Sequence, residues 1–147
     1  MDRKMYKFRE SVVRWFAKYT AAMACIHFAL ETAYTIRFGQ HWLGLVPDYI
    51  ATGLMMLGTF LIIVKGAGYV GYLCGAWGFA FCLSYRAWAW RFEAFLTGES
   101  SALINGVMYV LVPTLVIALA SFIVSLWLCI PGTGAQDDVA VEQAELH

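Results

Sequence analysis

His27, Glu31 and Tyr34 stand at i, i+4 and i+7, and at about 100° per residue a helix gathers all three into one narrow stripe with Thr20 and Met23. An imidazole and a carboxylate one turn apart can exchange a proton, because burial and neighbouring charge tune both groups towards neutral pH. The same two residues can instead lock helices together through an ion pair. Further along the chain Asp48, Tyr85, Arg86, Arg91 and Glu93 supply groups of the same kinds, so the elements that carry them decide which of these readings is physically open.

Those elements are set by composition. The chain has 147 residues, of which 61% are hydrophobic and 14% charged, with a mean hydropathy of +0.67. A soluble domain carries nearer ~25% charge, which excludes that class. Ten Lys and Arg balance ten Asp and Glu, and no basic, aromatic-interleaved patch suits nucleic acid. An α-helix needs about 20 residues to cross a hydrocarbon core ~30 Å thick. The sequence therefore predicts an all-α membrane protein: an antiparallel bundle of four transmembrane helices, spanning roughly 17–38, 47–64, 69–92 and 102–130.

Residues 1–16 read as a basic amphipathic segment, with Met5, Phe8, Val12 and Phe16 at helical spacing, or equally as a plain extension of the first span. Gly39 to Val46 forms the first connection. Pro47 is placed as the first residue of the second helix, with Asp48 in its first turn. Lys65-Gly66-Ala67-Gly68 and the segment from Thr97 to Ser101 make the next two turns, and Pro113 predicts a kink in the fourth helix. The acidic, non-aromatic stretch 131–147 reads as a disordered tail. With the N-terminus inside, Arg3, Lys4, Lys7, Arg9, Arg14, Lys18 and Lys65 face the cytoplasm, against Arg37, Arg86 and Arg91 outside. The positive-inside rule then puts both ends in the cytoplasm and the protein in the inner or plasma membrane.

This topology concentrates polar groups in the outer half. A carboxylate at membrane depth costs roughly 2.5 to 3.5 kcal/mol on insertion scales, so Glu31 is expected to face the bundle and to have a partner. Gly71, Gly75, Gly78, Cys82 and Ala89 form a small-residue stripe on the third span, the pattern that lets another helix approach closely. If the first helix lies there, rise alone brings Arg86 within about 7 Å of Glu31 along the axis, at ~1.5 Å per residue. A Glu31–Arg86 ion pair is the resulting expectation.

Motifs exclude more than they select. HExxH, GxSxG and GxxxxGK[ST] are all missing from the sequence. Cys25, Cys74, Cys82 and Cys129 form no CxxC pair, and His27 is the one histidine inside a span, so neither a metal nor a cofactor is assigned. The reading that needs the fewest missing motifs is a non-catalytic accessory subunit or binder of an amphipathic ligand. Its outer cluster comprises His27, Glu31, Tyr34, Asp48, Tyr85, Arg86, Arg91 and Glu93. Arg86 and Arg91 would receive an acidic ligand group, and His27 would be the pH-sensitive member. Expected partners are membrane lipid, a hydrophobic or amphipathic small molecule, and a membrane complex or homo-oligomer. Two alternatives use the same residues: a proton-linked small-molecule transporter working as a homo-oligomer, and an intramembrane isomerase-like enzyme with Glu31 or His27 as the acid-base group.

Overall fold

Helix boundaries fall where side chains or glycines can satisfy the backbone groups that a helix leaves open at its ends. The computed structural model describes residues 3–39, 41–99 and 101–130. The helices are α1 (Arg3–Phe38), α2 (Trp42–Lys65), α3 (Val70–Leu96) and α4 (Ala102–Cys129), with a single 3-10 turn at Ala67–Tyr69 and no strand among the described residues. The tail expected over 131–147 lies outside them.

α1 runs unbroken through residue 16. Val13 and Ala17 are buried against the same core, so this part of the helix packs into the bundle. α2 begins at Trp42 rather than at Pro47. The reason is a cap that spacing does not reveal: His41 is extended, and its Nδ1 accepts the Leu43 N–H at 3.3 Å. Pro47 therefore sits inside the helix, where it leaves the Leu43 carbonyl without its i+4 donor. α3 closes at Gly98, whose φ of 75° suits a residue without a Cβ, and Glu99 N–H donates back to Ala94 at 3.0 Å. The Ser101 hydroxyl then accepts Ile104 N–H at 3.3 Å to open α4.

Three of the four helices are long and apolar enough to cross a membrane: α2, α3 with its leading 3-10 turn, and α4 from Ile104. Polarity is arranged accordingly. Thr20, Thr59, Ser121 and Ser125 are buried, whereas Phe60, Val116, Ile123 and Trp127 face outwards. Small hydroxyl residues let helix backbones approach, and large apolar side chains suit lipid contact.

α1 packs mainly on α2, α2 on α3, and α3 most extensively on α4, while α1 and α3 touch only slightly. The expectation that α1 fills the small-residue stripe of α3 is therefore corrected. A Cβ at Gly71 or Gly75 would meet nothing within 4 Å, and one at Gly78 would meet the Phe122 ring of α4 at 3.1 Å. The close approach lies instead at Gly58 of α2, where a Cβ would come within 2.6 Å of Leu73 Cδ2 and 3.2 Å of the Leu73 backbone nitrogen. Leu73 is itself fully buried, so its side chain has little room to yield.

Polar contacts tie α1 into this frame. Thr59 Oγ1 donates to the Ala17 carbonyl at 3.0 Å, and the Trp77 indole N–H donates to Thr20 Oγ1 at 3.0 Å. Phe16, Tyr19 and Trp77 stack around that bond, with centroids 6.0 to 6.5 Å apart. At the other end of α4, the Arg9 guanidinium donates to the carbonyls of Leu128 and Ile130 at 2.8 and 2.7 Å. A cation at a helix C-terminus is favoured by the helix dipole.

Gly58→Ala should destabilise the protein by about 1 to 3 kcal/mol through overpacking, while Gly75→Ala should cost less than about 0.5 kcal/mol. Reversible unfolding in detergent, followed by circular dichroism, measures both; equal costs would place the α2–α3 contact elsewhere.

Candidate functional site

Two turns beyond Thr20, α1 presents His27 towards α2, one helical turn into which Pro47 and Asp48 fall. His27 Nε2 and Asp48 Oδ1 lie 3.5 Å apart, with side chains 29% and 23% exposed. Glu31 joins them from the next turn of α1. One donor atom from each of His27, Glu31 and Asp48 falls within 4.8 Å of the others. The neighbouring turn is fastened by Thr32, whose hydroxyl donates to the Phe28 carbonyl at 2.7 Å and lies 3.0 Å from the Tyr49 hydroxyl. The Phe28 and Tyr49 rings pack beside it at 5.0 Å.

Asp48 occupies this position because α2 starts early. It lies past the first turn, so its carboxylate is directed across to α1 instead of serving the helix N-terminus. Glu31 makes no hydrogen bond among the described residues, and the Arg91 guanidinium forms no salt bridge with it. That guanidinium is held back on α3, donating to the Ala87 carbonyl at 2.8 Å and lying 5.7 Å from the Trp90 ring centroid.

The Glu31–Arg86 ion pair does not form. Arg86 is exposed and makes no salt bridge among the described residues. The physical reason is lateral rather than axial: rise along the helices matches the two residues, but α3 turns its main contact surface to α4 and α2. Tyr85 and Glu93 are likewise exposed. Tyr34 is half-buried and packs on Phe38 of its own helix at 4.7 Å. Of the eight residues singled out, folding thus gathers His27, Glu31 and Asp48, keeps Arg91 bonded to its own helix, and leaves Tyr34, Tyr85, Arg86 and Glu93 outside.

Below the triad lies a cavity of about 50 Å³. His27 and Asp48 form its polar end, and Met23, Met55, Trp77, Ser84 and Thr114 contribute to its walls. A water needs roughly 10 to 15 Å³ of such space, so the cavity suits a few waters or a similarly small group. Met23 belongs to the stripe visible in sequence, whereas Met55, Ser84 and Thr114 carried no such signal because their shared space exists only where α2, α3 and α4 converge. Counting histidines hides the triad itself, because its third donor comes from another helix.

Compared with known proteins, the chain matches no protein-family model, no curated protein and no solved structure.

A double-mutant cycle with His27→Gln and Asp48→Asn should give a coupling energy of at least about 0.5 kcal/mol, as expected for contacting residues. The cycle with Glu31→Gln and Arg86→Gln should give none beyond about 0.3 kcal/mol. Unfolding free energies in one detergent measure both, and a larger second coupling would restore the ion pair.

Proposed function

We propose that the protein is a non-catalytic integral membrane protein of the plasma or inner membrane that binds an amphipathic ligand by its polar end at His27, Glu31 and Asp48. The observation that carries this reading is the convergence of an imidazole and two carboxylates at the mouth of a small cavity whose other walls are largely apolar. Such a site fixes a charged end while the apolar remainder of the ligand lies along the lipid-facing surface. Because two carboxylates converge beside one imidazole here, the complementary ligand end is positive. The acidic ligand group expected from Arg86 and Arg91 is less well served, since Arg91 is engaged with its own helix and Arg86 stands apart.

The same proposal takes α1 as a fourth span in an antiparallel bundle. At 36 residues and ~1.5 Å each, it is about 54 Å long, enough to cross the core and project beyond it. Its contacts support opposite directions for α1 and α2: Ala17 meets Thr59, while His27 and Thr32 meet Asp48 and Tyr49. Arg9 reaching the end of α4 supports both chain ends on one side, and the distribution of Lys and Arg favours the cytoplasm for that side.

Alkaline phosphatase fused at either end should be inactive and green fluorescent protein at either end should be fluorescent; the reverse at one end would overturn the shared-side topology. Dodecylammonium titrated into the protein in neutral detergent should raise Tm, and Asp48→Asn should weaken its apparent affinity about fivefold or more, equivalent to about 1 kcal/mol. An unchanged affinity in Asp48→Asn and in Glu31→Gln would remove the site from the proposal.

A further inference from the structure

We propose that His27, Glu31 and Asp48 bind a divalent first-row transition-metal ion of the zinc type. The inference rests on the reading above only in treating the triad as a site for positive charge, and it names a different occupant from an organic cation.

The donor set carries the first step. His27 and Glu31 are one turn apart on α1, and Asp48 enters from α2, so two rigid helices supply an imidazole nitrogen and two carboxylate oxygens. This is a mixed donor set and not a group of acids alone. Imidazole suits zinc and its first-row neighbours, whereas magnesium and calcium prefer oxygen donors.

Geometry carries the second step. Zinc bonds nitrogen and oxygen at about 2.0 to 2.2 Å, which places neighbouring donors of a tetrahedral ion about 3.3 Å apart. His27 Nε2 and Asp48 Oδ1 are 3.5 Å apart, long for a direct hydrogen bond but close to the spacing of two donors on one ion. The Glu31 oxygen lies within 4.8 Å of both, and a carboxylate on a three-torsion stem closes the remaining distance by a rotamer change.

Charge carries the third. Two carboxylates brought together from two helices repel one another, and the Arg91 guanidinium donates to Ala87 rather than to Glu31. A divalent ion neutralises the pair without moving α3. The cavity of about 50 Å³ at the His27–Asp48 end leaves room for one water as a fourth ligand, the number that zinc takes most readily.

The test uses the full chain in lipid nanodiscs, metal-stripped and titrated with Zn²⁺, with Mg²⁺ as the control. One Zn²⁺ per chain is expected beyond that bound by the triple variant His27→Ala/Glu31→Gln/Asp48→Asn, which keeps the cysteines, His41, His147 and the acidic tail. Each single change should weaken this site at least about tenfold. Equal stoichiometry and affinity in wild type and triple variant would overturn the proposal, as would Mg²⁺ binding equal to Zn²⁺. Should the triple variant fail to fold, pulsed electron paramagnetic resonance of the Cu²⁺-loaded His41→Gln/His147→Gln variant, in which His27 is the one remaining histidine, decides: coupling to an imidazole nitrogen supports the site, and its absence overturns it. Dodecylammonium separates the two readings. If the amine binds in an Asp48-dependent way and Zn²⁺ does not, the metal proposal alone falls; if neither binds, both fall; if Zn²⁺ displaces the amine, both stand at one site.

Discussion

The hydrogen bond from the Trp77 indole to Thr20 Oγ1 is the constraint from which the arrangement of α1 follows. α1 carries charge towards both ends and apolar side chains on several faces between them, so apolar packing alone does not choose its neighbour, and without water a buried indole N–H must find an acceptor inside the protein. Thr20 provides it. Its own hydroxyl hydrogen is used on the Phe16 carbonyl at 2.9 Å, leaving an oxygen lone pair for Trp77. With Thr20 fixed against α3 and Ala17 against Thr59 of α2, the next two turns of α1 can meet α2 only at its beginning, which is where Asp48 lies.

The rest of the packing resembles a soluble bundle turned inside out in its side-chain sizes. Alanine, serine and threonine fill much of the interior, and long apolar side chains lie outside. In lipid this costs little, because hydrocarbon surrounds both the folded and the separated helices, so close backbone approach and internal hydrogen bonds govern which helices pair. Gly58 against Leu73 is one such approach. Arg9 performs a comparable task at the helix end, supplying donors to carbonyls that α4 cannot pair within itself.

The triad and the cavity beneath it are consequences of that frame. His27 and Glu31 are adjacent by helical period alone, but their meaning changes with the third member. Paired with Arg86 they would form a neutral strut between helices. Beside Asp48 they form a partly exposed cluster of one imidazole and two carboxylates. The alternative roles in proton-linked transport and in isomerase-like catalysis draw on His27 and Glu31 of the same cluster.

What the residues by themselves determined is whatever depends on local period and composition. Long apolar runs imposed the helices, Thr97-Gly98 and Lys65-Gly66 marked their ends, and the i, i+4 spacing put His27 and Glu31 on one face. Tertiary structure alone decided which face met which. The α2 start moved to Trp42 because a histidine cap outweighed the preference for proline in a first turn. The glycine stripe of α3 was left largely unused because, in a chain whose helices are apolar all round, many packing faces are nearly equivalent by period. Specific contacts break that degeneracy: Gly58 with Leu73, Thr20 with Trp77, Arg9 with the end of α4. Each joins residues far apart in the chain, and no local pattern encodes the partner. Hence Asp48, and not Arg86, stands opposite His27 and Glu31.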